Sequence, residues 1–417
     1  MLMKIVPYLL RSASESDVRA IVDSRRLVIQ IRSDHFGHIV NQIDFFQRLI
    51  QEPKIFVLVT KMSLDAAIVD YFISPRSRIV LVAVPAKTTR IGRFFAALRL
   101  KLISVVLLFI ATNRFIANGD FVYRVALLRE GKSKIVDPAG SSKRMRYYAP
   151  VYQKHLHRTI VNPDLVRSKM FKTESVSLIK ELLGSEAHGR IVGLKLRKVI
   201  YSTNNYHDTG RNSSALEDYR WLIEHLTAKG YFVLLDPPHE YKEWHSRDVV
   251  NIASFGVREA GLLRLYLLTR SFAVLQPHSG PVHLCNICDV PNIVIDSFPF
   301  WQGTWSERDF IVPRTILDLD TGHEILLSKA IKSNRDVFLG KYDLGRFRFG
   351  LSRRDDIESA IEEFTGGHPK YYFSACELER ARRIMHERLP RVALNSKMLS
   401  KFPEAMIYRE VGPLSSG

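Results

Sequence analysis

Three clusters of charged and hydrogen-bonding residues in the sequence could do chemistry, and each follows a short apolar run. The first contains Asp34 and His38, four positions apart, after the run LVIQIR. A carboxylate and an imidazole at a strand end can supply a general base, with Asp34 acting directly or orienting His38. Asp34 could equally cap the helix that follows. We therefore predict Asp34 and His38 as candidate catalytic residues.

The second cluster is basic and follows the apolar run IVGL. It contains Lys195, Arg197 and Lys198, and the nearby loop NNYHDTGRNSS adds Arg211 and Asn212. Cations followed by amide and hydroxyl side chains suit a diphosphate and sugar hydroxyls. A solvent-exposed run of charges is the alternative. We predict that Lys195, Arg197, Arg211 and Asn212 bind such a ligand.

The third cluster is a turn of small residues, QPHSGP, after the apolar run FAVL. Ser279 can cap a helix, Gly280 lets a ligand approach the backbone, and Pro281 suits the first helical turn. A helix N-terminus of this kind presents N–H groups and the positive end of the helix dipole to a phosphate. An ordinary joint between a strand and a helix is the alternative. We predict that His278, Ser279 and Gly280 contact a phosphate.

Other motifs that carry chemistry in some proteins are weaker here. Cys285 and Cys288 form a single CxxC inside an apolar helical pattern, so we interpret them as packing residues. Asp318 and Asp320 form a DxD that could hold a metal and a diphosphate, but a Thr-Gly pair follows them, which is typical of a turn. The sequence has neither a Walker loop nor a GxGxxG motif. We predict no metal and no cofactor.

Apolar runs alternate with helical patterns along most of the chain, as in proteins built from parallel sheets with helices on their faces. Strands are predicted at 27–32, 55–59, 79–84, 191–196, 231–235, 249–253, 272–275 and 292–295. Helices are predicted at 39–50, 214–229, 258–270 and 281–289, and from 353 onward. The three clusters then fall at the carboxyl ends of strands, where open parallel sheets bind ligands.

The alternation occurs twice, and a basic, loop-like stretch at 131–162 separates the two occurrences. We interpret this stretch as a connection between domains. We predict one domain at 1–160, a second at 161–350, and a helical segment at 351–417 that braces them. The chain of 417 residues is long enough for each domain to bury its own core.

The composition indicates a globular protein with anionic partners. The hydrophobic share is 46%, and the formal net charge of +18 suits nucleic acid, an acidic membrane surface or phosphorylated ligands without choosing among them. Three cysteines do not make a disulfide framework, which predicts a reducing compartment. No apolar run has the features of a signal peptide or reaches the roughly 20 residues of a membrane span. We predict a cytoplasmic protein.

The stretch 87–111 is the candidate for membrane contact. It interleaves arginines and a lysine with phenylalanines and leucines, and it ends in the apolar run LISVVLLFIA. A basic amphipathic helix of this kind can lie in the interface of an anionic membrane, here at the inner face of the cell membrane. A core helix with a solvated basic edge is the alternative.

Longer motifs resemble those of bacterial glycosyltransferases of the two-Rossmann-domain (GT-B) type that occur among surface-polysaccharide genes. They are RSDHFGHIVNQIDFF, GLKLRK with NNYHDTGRNSSALEDYRWLIEHLTAKGYFV, QPHSGPVHL, and IVPRTILDLDTGHEILLSKAI. The SGP turn is also similar to the donor-phosphate turn of heptosyltransferases and fucosyltransferases. In the family's signature after the first strand of the second domain, Arg197 matches, whereas Lys195 and Lys198 do not.

The resemblance implies two Rossmann-like domains facing across a cleft, with C-terminal helices bracing them. It implies metal-independent, inverting transfer of a sugar from a nucleotide-sugar donor to a hydroxyl of a glycan or lipid-linked acceptor. The donor would lie in the second domain, with Arg197, Arg211 and the Ser279–Gly280 turn neutralising the leaving diphosphate. The alternatives are a nucleotide-sugar epimerase of the same architecture and a non-catalytic basic protein that binds membranes or nucleic acid. Catalysis needs basic residues that converge on a cleft, whereas a binding protein would spread them over one convex face. We expect no nucleic acid as partner.

Overall fold

The computed structural model describes residues 27–32, 43, 54–60, 78–83, 115–117, 174–187, 189–197, 216–237, 246–297, 306, 308–329, 346–366, 373–388 and 401–412. The chain forms two compact units. The first contains Met1–Ser141 and Val151–Met170, and the second contains Ser142–Pro150 and Phe171–Gly417. The stretch predicted to connect the domains, at 131–162, lies outside the described residues. The predicted domain limits at 160 and 350 stay predictions.

The first unit contains a parallel sheet of apolar strands. They are β1 (Leu27–Arg32), β2 (Lys54–Thr60), β3 (Arg78–Ala83) and β4 (Phe115–Ala117), in the order β3-β2-β1-β4. Ile55, Val57 and Val80 are buried, as expected for strands whose faces are covered. The first three strands are confirmed to within a residue, whereas β4 was not predicted. Of the helix predicted at 39–50, the structure describes only Ile43, which is helical and buried.

The second unit contains a parallel sheet of six strands. They are β5 (Ile191–Lys195), β6 (Phe232–Asp236), β7 (Val249–Asn251), β8 (Ala273–Gln276), β9 (Asn292–Ser297) and β10 (Phe310–Pro313). Their spatial order is β10-β9-β8-β5-β6-β7, which is the doubly wound order 3-2-1-4-5-6 read from the other edge. The five predicted strands are confirmed with small shifts at their ends, and β10 is an additional edge strand.

Seven helices accompany this sheet in the described part of the second unit. They are α1 (Glu174–Leu183), α2 (Arg220–Ala228), α3 (Val257–Arg270), α4 (Gly280–Ile287), α5 (Arg354–Phe364), α6 (Ala375–Arg388) and α7 (Glu404–Val411). Leu222 and Leu226 on α2, and Ile357 and Ile361 on α5, are four positions apart and at most 2% exposed. This spacing places each pair on one helix face, and burying such a side chain stabilises the fold by about 1.5–3 kcal/mol.

A small antiparallel sheet follows β10. Its strands are β11 (Ile316–Asp318), β12 (His323–Ile325) and β13 (Phe347–Phe349), in the order β12-β11-β13. A second core packs around Phe347, Phe402 and Ile407, which joins this sheet to α7. The Glu410 carboxylate accepts hydrogen bonds from the backbone N–H of Leu327 at 2.6 Å and from neighbouring groups, so α7 is fixed to the residues after β12.

These observations confirm the predicted α/β class, with a parallel sheet in each unit and helices at the C-terminal end. The described helices include none that is both long and apolar enough to cross a membrane. The stretch 87–111, predicted to contact a membrane, lies outside the described residues.

Candidate functional site

The strand order of the second sheet reverses between β5 and β8. The strands β6 and β7 continue on one side of β5, whereas β8, β9 and β10 lie on the other side. Open α/β sheets bind ligands outside the carboxyl ends of the strands at such a switch point. Leu194 of β5 lies opposite Leu275 of β8, so the chain leaves both strands side by side, at Lys195 and Gln276. Two of the three predicted clusters begin there.

The basic cluster after β5 is tied to a carboxylate that the sequence analysis missed. Lys195 and Asp236 are register partners at the ends of β5 and β6. The Lys195 ammonium donates to Asp236 Oδ2, and Arg264 Nε of α3 donates to Asp236 Oδ1 at 2.9 Å. The exposed fractions of the side chains are 4% for Asp236, 22% for Lys195 and 36% for Arg264. We call these three residues the switch-point cluster.

The two cations determine the protonation of Asp236. Burial on its own raises the pKa of this carboxyl group, but the charges and hydrogen bonds of Lys195 and Arg264 lower it by more. The pKa of Asp236 therefore lies below its ordinary value, and the carboxylate is ionised at neutral pH. The cluster holds one negative and two positive charges, which leaves one positive charge at the carboxyl end of the sheet.

Arg197 lies two residues beyond β5 and is half-buried. The backbone N–H of Leu196 donates to the carbonyl of Asp236 at 3.0 Å, which extends the pairing of β5 and β6 by one residue and fixes the start of the segment that carries Arg197. Arg211 and Asn212, predicted to bind the same ligand, lie outside the described residues. The structure thus places Lys195 and Arg197 at the switch point.

The turn after β8 brings the third cluster to the same place. Ser279 is the N-cap residue of α4, as predicted, with extended backbone at φ −154° and ψ 172°. Its side chain makes no capping hydrogen bond, so it does not occupy the N–H groups of the first turn, which include that of Gly280. His278 is only 5% exposed, which leaves little of its ring for a ligand to contact.

A buried polar network supports this turn from below. Gln276 Nε2 donates to Asn292 Oδ1 at 2.8 Å, and the Asn292 backbone N–H donates to Asp309 Oδ1 at 2.7 Å. Asn286 of α4 donates to the other oxygen of Asp309, also at 2.7 Å. These bonds join the start of the turn, the end of α4 and the start of β10. Because Gln276, Asn292 and Asp309 are fully buried, the bonds lie in a region of low dielectric.

A further buried carboxylate lies at the carboxyl end of β9. Asp296 accepts a hydrogen bond from the Tyr219 hydroxyl, and its Oδ1 accepts from the backbone N–H of Ser352 at 2.8 Å. In return, the Asp296 N–H donates to Ser352 Oγ at 2.7 Å. Asp296 adopts the left-handed conformation at φ 50°, which is uncommon for a residue with a side chain. These bonds stabilise it and commit Asp296 to linking β9 with the start of α5.

The CxxC motif is part of the core. Cys285 and Cys288 are buried, in agreement with their interpretation as packing residues. Burial, together with neighbouring Cys288 and Asp309, raises the pKa of the Cys285 thiol well above its ordinary value, so the thiol stays protonated.

Throughout the described ranges, His, Cys, Asp and Glu side chains form no group of three or more that could hold a metal ion.

The DxD motif begins at the end of β11 and continues into a turn, as predicted. The backbone N–H of Asp320 donates to Asp318 Oδ1 at 3.1 Å. Arg346 contacts both carboxylates, Asp318 at 3.2 Å and Asp320 at 3.3 Å. The hydrogen bond from Arg346 is the main reason that the pKa of Asp318 lies below its ordinary value. We call Asp318, Asp320 and Arg346 the turn cluster.

The predicted catalytic residues, Asp34 and His38, lie outside the described residues. The strand that precedes them, β1, lies between β2 and β4, so the strand order of the first sheet also reverses at its first strand. The chain leaves β1 at Arg32, at the carboxyl end where this architecture binds ligands.

No protein-family model matches the sequence, and no curated protein sequence matches it. Among solved structures, the chain is similar to a glycosyl transferase family 9 protein from Veillonella parvula, with 12% identity, coverage of 81% of this chain and 97% of that chain, and a TM-score of 0.45. It is also similar to the wall teichoic acid polymerase TagF, with 9% identity, coverage of 65% and 70%, and a TM-score of 0.26. A third similar structure is the glycotransferase of kitacinnamycin, with 12% identity, coverage of 65% and 80%, and a TM-score of 0.26.

Proposed function

We propose that this chain is a glycosyltransferase that moves a sugar from a nucleotide-sugar donor to a hydroxyl of a glycan or lipid-linked acceptor in surface-polysaccharide synthesis. The observation that supports it is the meeting of two clusters at the switch point of the second sheet. Lys195 and Arg197 lie at the carboxyl end of β5, and the neighbouring strand β8 leads into the turn at Ser279 and Gly280 that begins α4. Two cations and a helix N-terminus suit a diphosphate.

The diphosphate is the leaving group of the proposed reaction. As the bond between the anomeric carbon and the diphosphate oxygen breaks, the oxygen takes the electron pair and negative charge develops on it. Lys195, Arg197 and the N–H groups of the Ser279–Gly280 turn stabilise that charge, so the reaction proceeds without a metal. Arg211 and Asn212 contact the diphosphate and the sugar hydroxyls in this proposal.

The acceptor side of the proposal belongs to the first unit. The acceptor oxygen forms a bond to the anomeric carbon with inversion, and its proton passes to Asp34 or His38, after β1. General-base catalysis contributes about 10²–10⁴ in rate. If Asp34 and His38 act as one unit, Asp34→Asn and His38→Ala should each lower turnover by that factor without weakening donor binding. Normal turnover in both variants would remove this loop as the source of the base.

We also propose that the chain works at the inner face of the cell membrane, where a lipid-linked acceptor lies. The residues that carry this proposal are those of the basic and apolar stretch 87–111. Sedimentation with vesicles should show binding to anionic lipid that weakens as salt is added. Equal binding to neutral and anionic vesicles would contradict it.

The proposed function is tested first with ligands. The thermal midpoint of the full chain is measured with UDP, GDP, ADP and CDP, each beside its nucleoside. A diphosphate at about 100 times its dissociation constant stabilises the folded chain by about 2.7 kcal/mol, whereas the nucleoside binds weakly and shifts the midpoint little. If none of the four diphosphates shifts the midpoint of the folded protein, the proposal is wrong.

Incubation of the matching nucleotide sugars with the chain then separates transfer to an acceptor from epimerisation, which changes the sugar with no acceptor present.

A further inference from the structure

The switch-point cluster has a geometry that suggests a task for Asp236. Each oxygen of its carboxylate accepts from a different cation, Lys195 on β5 and Arg264 on α3. The carboxylate is the most deeply buried of the three side chains, and both cations reach solvent. The carboxylate thus lies beneath two cations at the carboxyl end of the sheet, where open parallel sheets bind ligands.

A structural ion pair is the simplest alternative, and it explains the arrangement less well. Removing two charges from water costs several kcal/mol per ion, and a buried ion pair is often no more stabilising than well-packed apolar residues. The clearest effect of the contacts with Asp236 is to fix the positions of the Lys195 and Arg264 charges. A lysine side chain has a flexible four-carbon stem, so an unpartnered Lys195 ammonium would have to be ordered when an anion binds.

We propose that Asp236 is a positioning residue of the diphosphate site, which holds the Lys195 ammonium and the Arg264 guanidinium at the carboxyl end of the sheet. This inference rests on the proposed function. Neither Asp236 nor Arg264 belongs to a cluster predicted from the sequence. Because the carboxylate orders both cations before a ligand arrives, the entropic cost of ordering them does not weaken binding.

The test uses inorganic pyrophosphate as the probe and calorimetry of the full chain at neutral pH. Four proteins form a cycle: the parent, Asp236→Asn, Lys195→Ala and the double variant. Asp236→Asn keeps the shape of the side chain and removes its charge. A charge-assisted hydrogen bond contributes roughly 1.5–3 kcal/mol, so we expect Asp236→Asn to weaken pyrophosphate binding about tenfold in the parent. In the Lys195→Ala background the same change should have at most about a threefold effect, because only Arg264 is left for the carboxylate to position.

The outcomes separate this inference from the proposed function. Asp236→Asn raises the net charge of the site, so tighter binding would mean that charge alone matters and would overturn the inference. Unchanged binding, or an equal loss in both backgrounds, would also overturn it and make Asp236 a structural residue. If pyrophosphate does not bind the parent, or binds Lys195→Ala as well as the parent, the diphosphate site itself is wrong and the inference falls with it.

A second variant keeps the test decisive if Asp236→Asn does not fold. Arg264 is partly exposed, so Arg264→Gln should fold and leave Asp236 paired with Lys195 alone. Its removal takes one cation from the site, and we expect pyrophosphate binding to weaken about threefold to tenfold and to depend less on salt. Unchanged affinity and salt dependence would overturn the role of Arg264 and, with it, the inference.

Discussion

The switch-point cluster and the turn cluster use the same residue types in opposite ways. At the switch point, one carboxylate that is 4% exposed lies between Lys195 and Arg264, whose side chains are 22% and 36% exposed. In the turn, the carboxylates of Asp318 and Asp320, 5% and 66% exposed, share a single arginine that is 40% exposed. The first arrangement has an excess positive charge, and the second has an excess negative charge.

The difference shows why local motifs alone do not identify an anion site. In the turn cluster, the Asp318 carboxylate accepts a hydrogen bond from the backbone N–H of Asp320 in the same turn. It therefore stabilises a connection between two short antiparallel strands. The carboxylate of the switch-point cluster contacts side chains from another strand and from a helix, and both cations lie at the carboxyl end of a parallel sheet. Charge attracts a ligand where the cations outnumber the acids and the fold leaves them partly exposed.

The largest expected difference between the clusters is in stability. Asp236→Ala leaves Lys195 and Arg264 close together without their counter-ion, which should lower the free energy of unfolding by about 3 kcal/mol. Asp320→Ala, the matched variant in the turn cluster, removes an exposed carboxylate and should lower it by less than about 1 kcal/mol. Urea unfolding of both variants measures the two values. Equal losses would mean that the clusters do not differ in the way described.

The pH dependence of stability sharpens the comparison further. Because the pKa of Asp236 is lower in the folded chain than in the unfolded chain, its stabilisation is complete above the unfolded pKa of about 3.9 and is lost as the pH falls through the folded pKa. The difference in unfolding free energy between the parent and Asp236→Asn should therefore be constant above about pH 5 and shrink below about pH 4. Urea unfolding across that range measures it, and a difference that grows towards acid would contradict the account.

The smallest expected effect is that of salt. The coupling between Arg346 and Asp320 is between exposed groups and should largely disappear at about 1 M salt, where the screening length is about 3 Å. The coupling between Lys195 and Asp236 involves a buried carboxylate and should keep most of its value. Double-mutant cycles at low and high salt measure both couplings. Equal screening of the two pairs would show that Asp236 is not protected from solvent in the way that its burial indicates.

Much of the frame of the site could be predicted from the sequence, because its signals are local. The run before Lys195 is apolar and ends in charge, and the Ser-Gly-Pro order after β8 is typical of a helix start. Both clusters lie where these patterns put them. The apolar runs of β4, FIA, and of β10, FIV, have only three residues each, which is too short to distinguish a strand from a loop.

The partners of the site residues could not be predicted, because they depend on the order of the strands. Asp236 is 41 positions from Lys195 and 28 from Arg264. It meets Lys195 because β6 lies next to β5, and it meets Arg264 because α3 packs against β6. The buried bond between Asp309 and Asn292 likewise needs β9 and β10 to be neighbours. The roles of Asp34, His38, Arg211 and Asn212 stay predictions.

The central claim, that the switch point binds the diphosphate of a nucleotide sugar, is tested most directly by calorimetry of Arg197→Ala. The measurement compares the dissociation constants of the best-binding nucleoside diphosphate and of its nucleoside, with Arg346→Ala from the turn cluster as the matched control. The account predicts that Arg197→Ala weakens diphosphate binding about tenfold or more, leaves nucleoside binding nearly unchanged, and that Arg346→Ala changes neither. An equal loss for diphosphate and nucleoside in Arg197→Ala, or the same loss in Arg346→Ala, would contradict it.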